Sequence, residues 1–172
     1  AVVTGAGQGI GEGYAKALAR EGAAVAIAEL AADQGQRVAR EIVAAGGRAL
    51  FVETDVSSEA STKAMGETVR RELGGVDYLV NNAAIYHDME MHGLLTVPFD
   101  YYTKFMAVNM HGALLATRAV YESMVERGSG AIVNQSPTAA WMGVGYYGIA
   151  KLALHGITHS LARELGSRKI RV

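Results

Sequence analysis

Cysteine is absent from the chain, so disulfide scaffolds, thiolate metal sites and cysteine nucleophiles are excluded together. Charge of one sign is also missing. Sixteen Lys and Arg against seventeen Asp and Glu leave a net charge of −1 without a run of either sign, which argues against nucleic acid or an anionic membrane as partner. No apolar stretch approaches the roughly 20 residues of a membrane span, and no signal-like segment precedes the first motif. The expectation is a cytoplasmic protein whose partners are small molecules. Proline occurs only twice, at 98 and 137, whereas 21 glycines imply many turns or close backbone approaches. With half of its 172 residues apolar, the chain is long enough for one sizeable core, and residues 1–172 read as a single domain.

Strand and helix patterns alternate along the chain. Ala1 to Thr4 is an apolar, β-branched strand that runs into the glycine-rich turn Gly5 to Gly11 and a helix closed by Gly22. Ala23 to Ala28 forms a second strand ending at Glu29, and Arg48 to Thr54 a third. Ser58 can cap a helix whose apolar face is Met65, Val69 and Leu73, and Val76 to Val80 makes a fourth strand leading into Asn81 and Asn82. A long helical pattern covers Phe105 to Arg127, strand five is Ala131 to Asn134, and a last helix carries Ala150, Leu154, Ile157, Leu161 and Leu165 on one face. Lys169 to Val172 looks like the start of a sixth strand. Residues 83–98 are expected to be a surface loop with a short helix. This alternation demands right-handed crossovers, so the predicted fold class is α/β, a doubly wound parallel sheet of the three-layer Rossmann type.

Glycines 5, 9 and 11 between a strand and a helix let the chain turn tightly, let the backbone approach a pyrophosphate and aim the helix N-terminus at its charge. Glu29 ends the second strand eighteen residues after Gly11, where a carboxylate can accept both ribose hydroxyls of an adenosine. It would repel a 2′-phosphate, and no Arg or Lys stands at Ala6, Gln8 or Leu30 to reverse that, so NAD is expected over NADP. A plain tight turn and a solvated strand-end charge are the bland alternatives.

Together these motifs resemble the short-chain dehydrogenase/reductase family over nearly the whole chain. Thr4 to Gly11 matches its Thr-Gly-x-x-x-Gly-x-Gly, Asp55-Val56 its Asp-Val, Asn81 to Ala84 its Asn-Asn-Ala-Gly with alanine in last place, and Tyr147 to Lys151 its Tyr-x-x-x-Lys. The resemblance implies that Gly5, Gln8, Gly9, Ile10, Gly11 and Glu29 hold the dinucleotide, that Asp55 and Val56 contact adenine, and that Asn82 and Ala83 line the ribose and nicotinamide side. It implies hydride transfer between NAD(H) and a carbonyl or secondary alcohol. It also implies a homodimer or homotetramer built on the helices of residues 105–127 and 147–166, and a chain that is a fragment lacking the family's last strands.

Tyr147 and Lys151 lie four apart, hence on one helix face, where an ammonium can lower a phenol that otherwise titrates near 10. By resemblance Tyr147 is the acid–base and Lys151 also binds the nicotinamide ribose. Asn109 falls inside an apolar stripe; the resemblance makes it a catalytic asparagine holding a water in a proton relay, and a helix-kink asparagine is the alternative. Proline 137 stands where the family places its catalytic serine, so Ser136 is the candidate for that hydroxyl, with Thr138 behind it. This departure leaves open an inactive or weakly active dinucleotide-binding paralogue. His87, Glu90 and His92 lack helical zinc spacing, so no metal is expected. Trp141, Met142 and Tyr146 are expected to line the pocket, and His155 to be packed rather than catalytic.

Overall fold

The computed structural model describes all residues 1–172. Six parallel strands, β1 (Val2–Thr4), β2 (Ala24–Glu29), β3 (Arg48–Glu53), β4 (Tyr78–Asn81), β5 (Gly130–Asn134) and β6 (Ile170–Arg171), form one sheet in the order β3-β2-β1-β4-β5-β6. Helices α1 (Gly9–Arg20) and α2 (Ala32–Ala44) cover one face; α3 (Glu59–Leu73) and α5 (Gly112–Glu126) cover the other. Strand side chains alternate in direction, and the burial follows. Val2 packs with Met65, Val69, Val120 and Met124 on one side, while the adjacent Val3 packs with Ala15, Val38 and Ile42 on the other. A third cluster, Phe105, Met106, Tyr146 and Ala150, joins α4 (Phe99–Met106) to α6 (Gly145–Leu165).

The chain order reverses between β1 and β4, which opens a crevice at their carboxyl ends, where open α/β sheets bind ligands. The caps agree with the sequence. Ser58 Oγ accepts from the Ser61 amide at 3.2 Å to start α3, and Gly74, in the left-handed region at φ +77°, ends it.

Two expectations need correction. Residues 83–98 contain turns and no helix; the helix expected from Phe105 begins instead at Phe99, directly after Pro98, whose fixed φ suits a helix start. That helix is also not uniform: residues Ala107–His111 form a π turn between α4 and α5. The sixth strand expected at the end of the chain is present as β6, which pairs with β5 at Gly130 and Ala131 and leaves residues 132–134 without a partner on that side. No helix is long and apolar enough to cross a membrane.

Candidate active site

The glycine turn is shaped by the protein's own packing. A Cβ on Gly11 would lie 2.1 Å from the Gly5 carbonyl oxygen and 2.5 Å from Asn82 Nδ2, and one on Gly5 would lie 2.7 Å from Ala83 Cα. Both positions therefore exclude a side chain, which brings the β1–α1 turn against the segment leaving β4. Gly9 differs. It sits at φ +56° and faces open space at the first turn of α1, whose amides have no side-chain cap. Asn82 is an organiser of this turn: its Nδ2 donates to the carbonyls of Thr4 and Gly5, while Thr4 Oγ1 accepts the amides of Asn82 and Ala83 at 3.0 and 3.1 Å.

A groove of about 540 Å³ runs along the carboxyl ends of the strands, lined among others by Gly5, Gln8, Glu29, Asp55, Val56, Ala83, Tyr86 and Lys104. Six of the residues assigned to the dinucleotide thus share one cavity. Glu29 is anchored there by three backbone amides: Oε2 accepts from Gly7, and Oε1 from Leu30 and Ala31. Asp55 Oδ1 takes the amide and hydroxyl of Ser57, closing a tight turn beside the groove. Ile10 is exposed on the first turn of α1.

Tyr147 and Lys151 occupy successive turns of α6, as their spacing requires. Tyr147 stands against Tyr86, ring centroids 5.4 Å apart, and against Phe105 at 6.3 Å. The expected lowering of its phenol is not what the structure gives. Burial pushes Tyr147 up, helped by the neighbouring Tyr86, while the Lys151 ammonium donates to the Gln135 carbonyl, 3.3 Å from Nζ. Lys151 itself is only 3% exposed, and burial lowers it to about 8.

Asn109 lies in the π turn, a local irregularity frequent at functional sites. Its Nδ2 donates to the Phe105 carbonyl at 3.1 Å, while its Oδ1 is buried with no partner among protein atoms.

Three successive residues at the end of β5, Asn134 to Ser136, tie the strand to β4, α1 and α6. Asn134 accepts from Asn81 Nδ2 at 2.8 Å and donates to Thr158 of α6; Gln135 Oε1 accepts from Tyr14 of α1 at 2.7 Å. Ser136 Oγ shares a 3.0 Å hydrogen bond with His155 Nε2 and lies 3.3 Å from the Lys151 carbonyl. Its hydroxyl is therefore held on α6, and Pro137 opens a short 3₁₀ turn, Thr138–Trp141. The roles of Tyr14 and Gln135 are not legible in the sequence, and that of Asn81 goes beyond its motif, since nothing local marks a cross-element hydrogen bond.

The expected pocket residues divide. Trp141 and Met142 are exposed, Trp141 edge-on to His155, and they are not among the residues lining the groove. Tyr146 is buried within the Phe105 cluster and its hydroxyl bonds the Glu90 carbonyl. A turn with Gly143 and Gly145 both at positive φ immediately precedes it. His92 pairs with Glu90 on the loop, and no three potential ligands gather for a metal.

Known proteins share this arrangement. The chain is 59% identical over 172 residues to an uncharacterized oxidoreductase of Mycobacterium tuberculosis, covering all of this chain and 69% of that protein. It is 34% identical over 175 residues to D-threitol dehydrogenase of Mycolicibacterium smegmatis, covering 100% of this chain and 66% of that one. A metagenomic short-chain oxidoreductase crystallised in complex with NADP superposes with a TM-score of 0.93 at 34% identity, over 100% of this chain and 78% of that chain. The glycine turn, the groove at the strand ends and the tyrosine–lysine pair on α6 thus fall within a match to the short chain dehydrogenase family that runs through residues 1–172, and the chain belongs to that family.

Proposed function

We propose that this oxidoreductase transfers hydride between NAD(H) and a small carbonyl compound or secondary alcohol, with Tyr147 as the acid–base group. The observation that carries the reading is the pairing of Tyr147 with a buried, carboxylate-free lysine one turn away on α6. An ammonium kept out of water without a counter-ion costs stability, and such groups concentrate at functional sites.

The residues present fit a dinucleotide. Gly5 and Gly11 leave a turn no side chain can fill, Gly9 opens the first turn of α1, and the Glu29 carboxylate lies on the groove wall. In that arrangement Gly5, Gln8, Gly9, Ile10 and Gly11 hold the pyrophosphate, Glu29 the adenosine ribose, Asp55 and Val56 the adenine, and Asn82 and Ala83 the far end. The bound nicotinamide is the carrier of hydride. Glu29, with no cation at Ala6, Gln8 or Leu30, favours NAD over NADP.

Tyr147, pushed up by burial, holds its proton at neutral pH and donates it to the substrate oxygen in reduction. Lys151, lowered to about 8, exchanges a proton near neutrality far more readily than an exposed lysine and serves as relay to Tyr147 and ligand to the nicotinamide ribose. Asn109 Oδ1, buried without a partner among protein atoms, is available as acceptor for a water in the proposed proton relay. Ser136 braces the same α6 face through His155. Exposed Ile149 and Leu152 on α6 support self-association through that helix into a homodimer or homotetramer.

A second reading, dinucleotide binding with weak catalysis, is favoured by Pro137 together with the capture of the Ser136 hydroxyl by α6. One experiment separates the two. NADH is titrated by nicotinamide fluorescence, and turnover is screened on a panel of secondary alcohols with NAD⁺, for the wild type and for Tyr147→Phe. The enzyme reading expects binding within about twofold and turnover reduced at least about 100-fold in the variant. Tight NADH binding without turnover of any alcohol would favour the second reading.

A further inference from the structure

We infer that Arg37 on α2 is a latent partner for a 2′-phosphate, kept unavailable by Glu12 and Glu41, so that these three residues together with Glu29 set the NAD preference. The inference rests on the reading that the Glu29 end of the groove takes the adenosine ribose.

The geometry centres on Gly7. Its amide donates to Glu29 Oε2 at 2.9 Å and its carbonyl accepts from Arg37 Nη2 at 2.9 Å. A carboxylate and a guanidinium therefore meet on one residue of the glycine turn. The approach is close: a Cβ on Gly7 would lie 2.8 Å from Glu29 Cγ and 3.0 Å from Gln34 Cβ, so α2 is seated directly against the turn. No cation stands at Ala6, Gln8 or Leu30, yet the fold delivers one from a full helix turn into α2.

That cation is occupied. Arg37 Nη2 also donates to Glu12 Oε2 at 2.7 Å, and Nη1 donates to Glu41 Oε1 at 2.8 Å. Lys16 bridges the same two carboxylates at 2.5 and 2.7 Å. Two cations and two anions close on themselves and cancel, leaving Glu29 as the uncompensated charge at this end of the groove. A phosphate arriving there meets repulsion from Glu29 and a guanidinium already engaged at both terminal nitrogens. Neutralising Glu12 changes both conditions, since it leaves the cluster with a net positive charge and releases donors that suit phosphate oxygens.

The test titrates NADH and NADPH by nicotinamide fluorescence into the full chain and its variants, with the ratio of the two affinities as readout. Glu12→Gln should raise NADPH affinity relative to NADH by about tenfold, the worth of one added charge-assisted hydrogen bond. Glu41→Gln, which loosens the same guanidinium from its other nitrogen, should shift the ratio in the same direction. The gain should vanish in Glu12→Gln/Arg37→Met and shrink in high salt. Lys104, which also lines the groove, is the control: Glu12→Gln/Lys104→Met should keep the gain. Should Glu29→Gln shift the ratio while Glu12→Gln and Glu41→Gln leave it alone, the ribose reading stands and Arg37 has no such role. If none of the three moves the ratio, the ribose reading fails as well. A gain that survives Arg37→Met, or disappears with Lys104→Met, also overturns the inference.

Discussion

Lys151→Met should make the protein more stable at pH 7 while removing its activity. The wild-type ammonium is 3% exposed, and the partner the protein offers it is a carbonyl oxygen 3.3 Å away. Burial lowers its proton affinity from the ordinary 10.5 to about 8. At about 1.4 kcal/mol per tenfold change in proton affinity, keeping the group charged at pH 7 costs about 3 kcal/mol. Between pH 8 and 10.5 the folded chain binds fewer protons at this position than the unfolded chain, so wild-type stability rises with pH across that window; below pH 8 the full penalty is present. Methionine keeps an unbranched stem and carries no charge, so the variant escapes the penalty and has no such rise. Urea unfolding of both proteins at pH 7, 8, 9 and 10 measures the difference directly, with equal slopes against urea as the sign that only stability has changed. The expected result is a variant more stable by up to about 3 kcal/mol at pH 7, with the gap closing toward pH 10. A variant less stable at pH 7, or a gap independent of pH, would refute the claim that an uncompensated ammonium is stored at this site.

Three further substitutions probe the end of β5 and its partners. Because Ser136 is bonded into α6, Pro137→Ser should raise turnover about 30-fold or more by adding a donor to the developing oxyanion, with NADH affinity unchanged. Ser136→Ala should cost about 1 kcal/mol of stability and little rate; a 30-fold loss of rate in that variant would return the catalytic hydroxyl to Ser136. Asn81→Ala removes a buried amide together with its bonds to Asn134 Oδ1, the Ala113 carbonyl and Thr117, and should lower stability by about 2 kcal/mol, a fall of about 4–8 °C in Tm for a domain of this size. A drop below about 1 °C by scanning calorimetry would show that Asn134 finds another donor.

Much of the molecule was legible one residue at a time. Apolar β-branched runs ending in Gly5, Glu29 and Asn81 marked the strands, because a parallel sheet buried on both faces demands continuous apolar side chains. Glycines at 5, 9 and 11 and the four-residue step from Tyr147 to Lys151 are local spacings that follow from helix and turn geometry. What the sequence could not decide is where a polar group finds its partner across the fold. That Lys151 turns to the Gln135 carbonyl, that Ser136 is captured by His155 and that Asn109 sits in a π turn all depend on how α6, β5 and α4 meet. The direction of the Tyr147 shift differs from the expectation for the same reason: helical spacing places the ammonium one turn away, but burial and the neighbouring Tyr86 set the shift. Arg37 makes the point from the other side. It lies 30 residues from Gly7 in the chain and belongs to no motif, and only the packing of α2 on the glycine turn brings its guanidinium to the Gly7 carbonyl, since side-chain contacts follow the tertiary path of the backbone and not the order of residues.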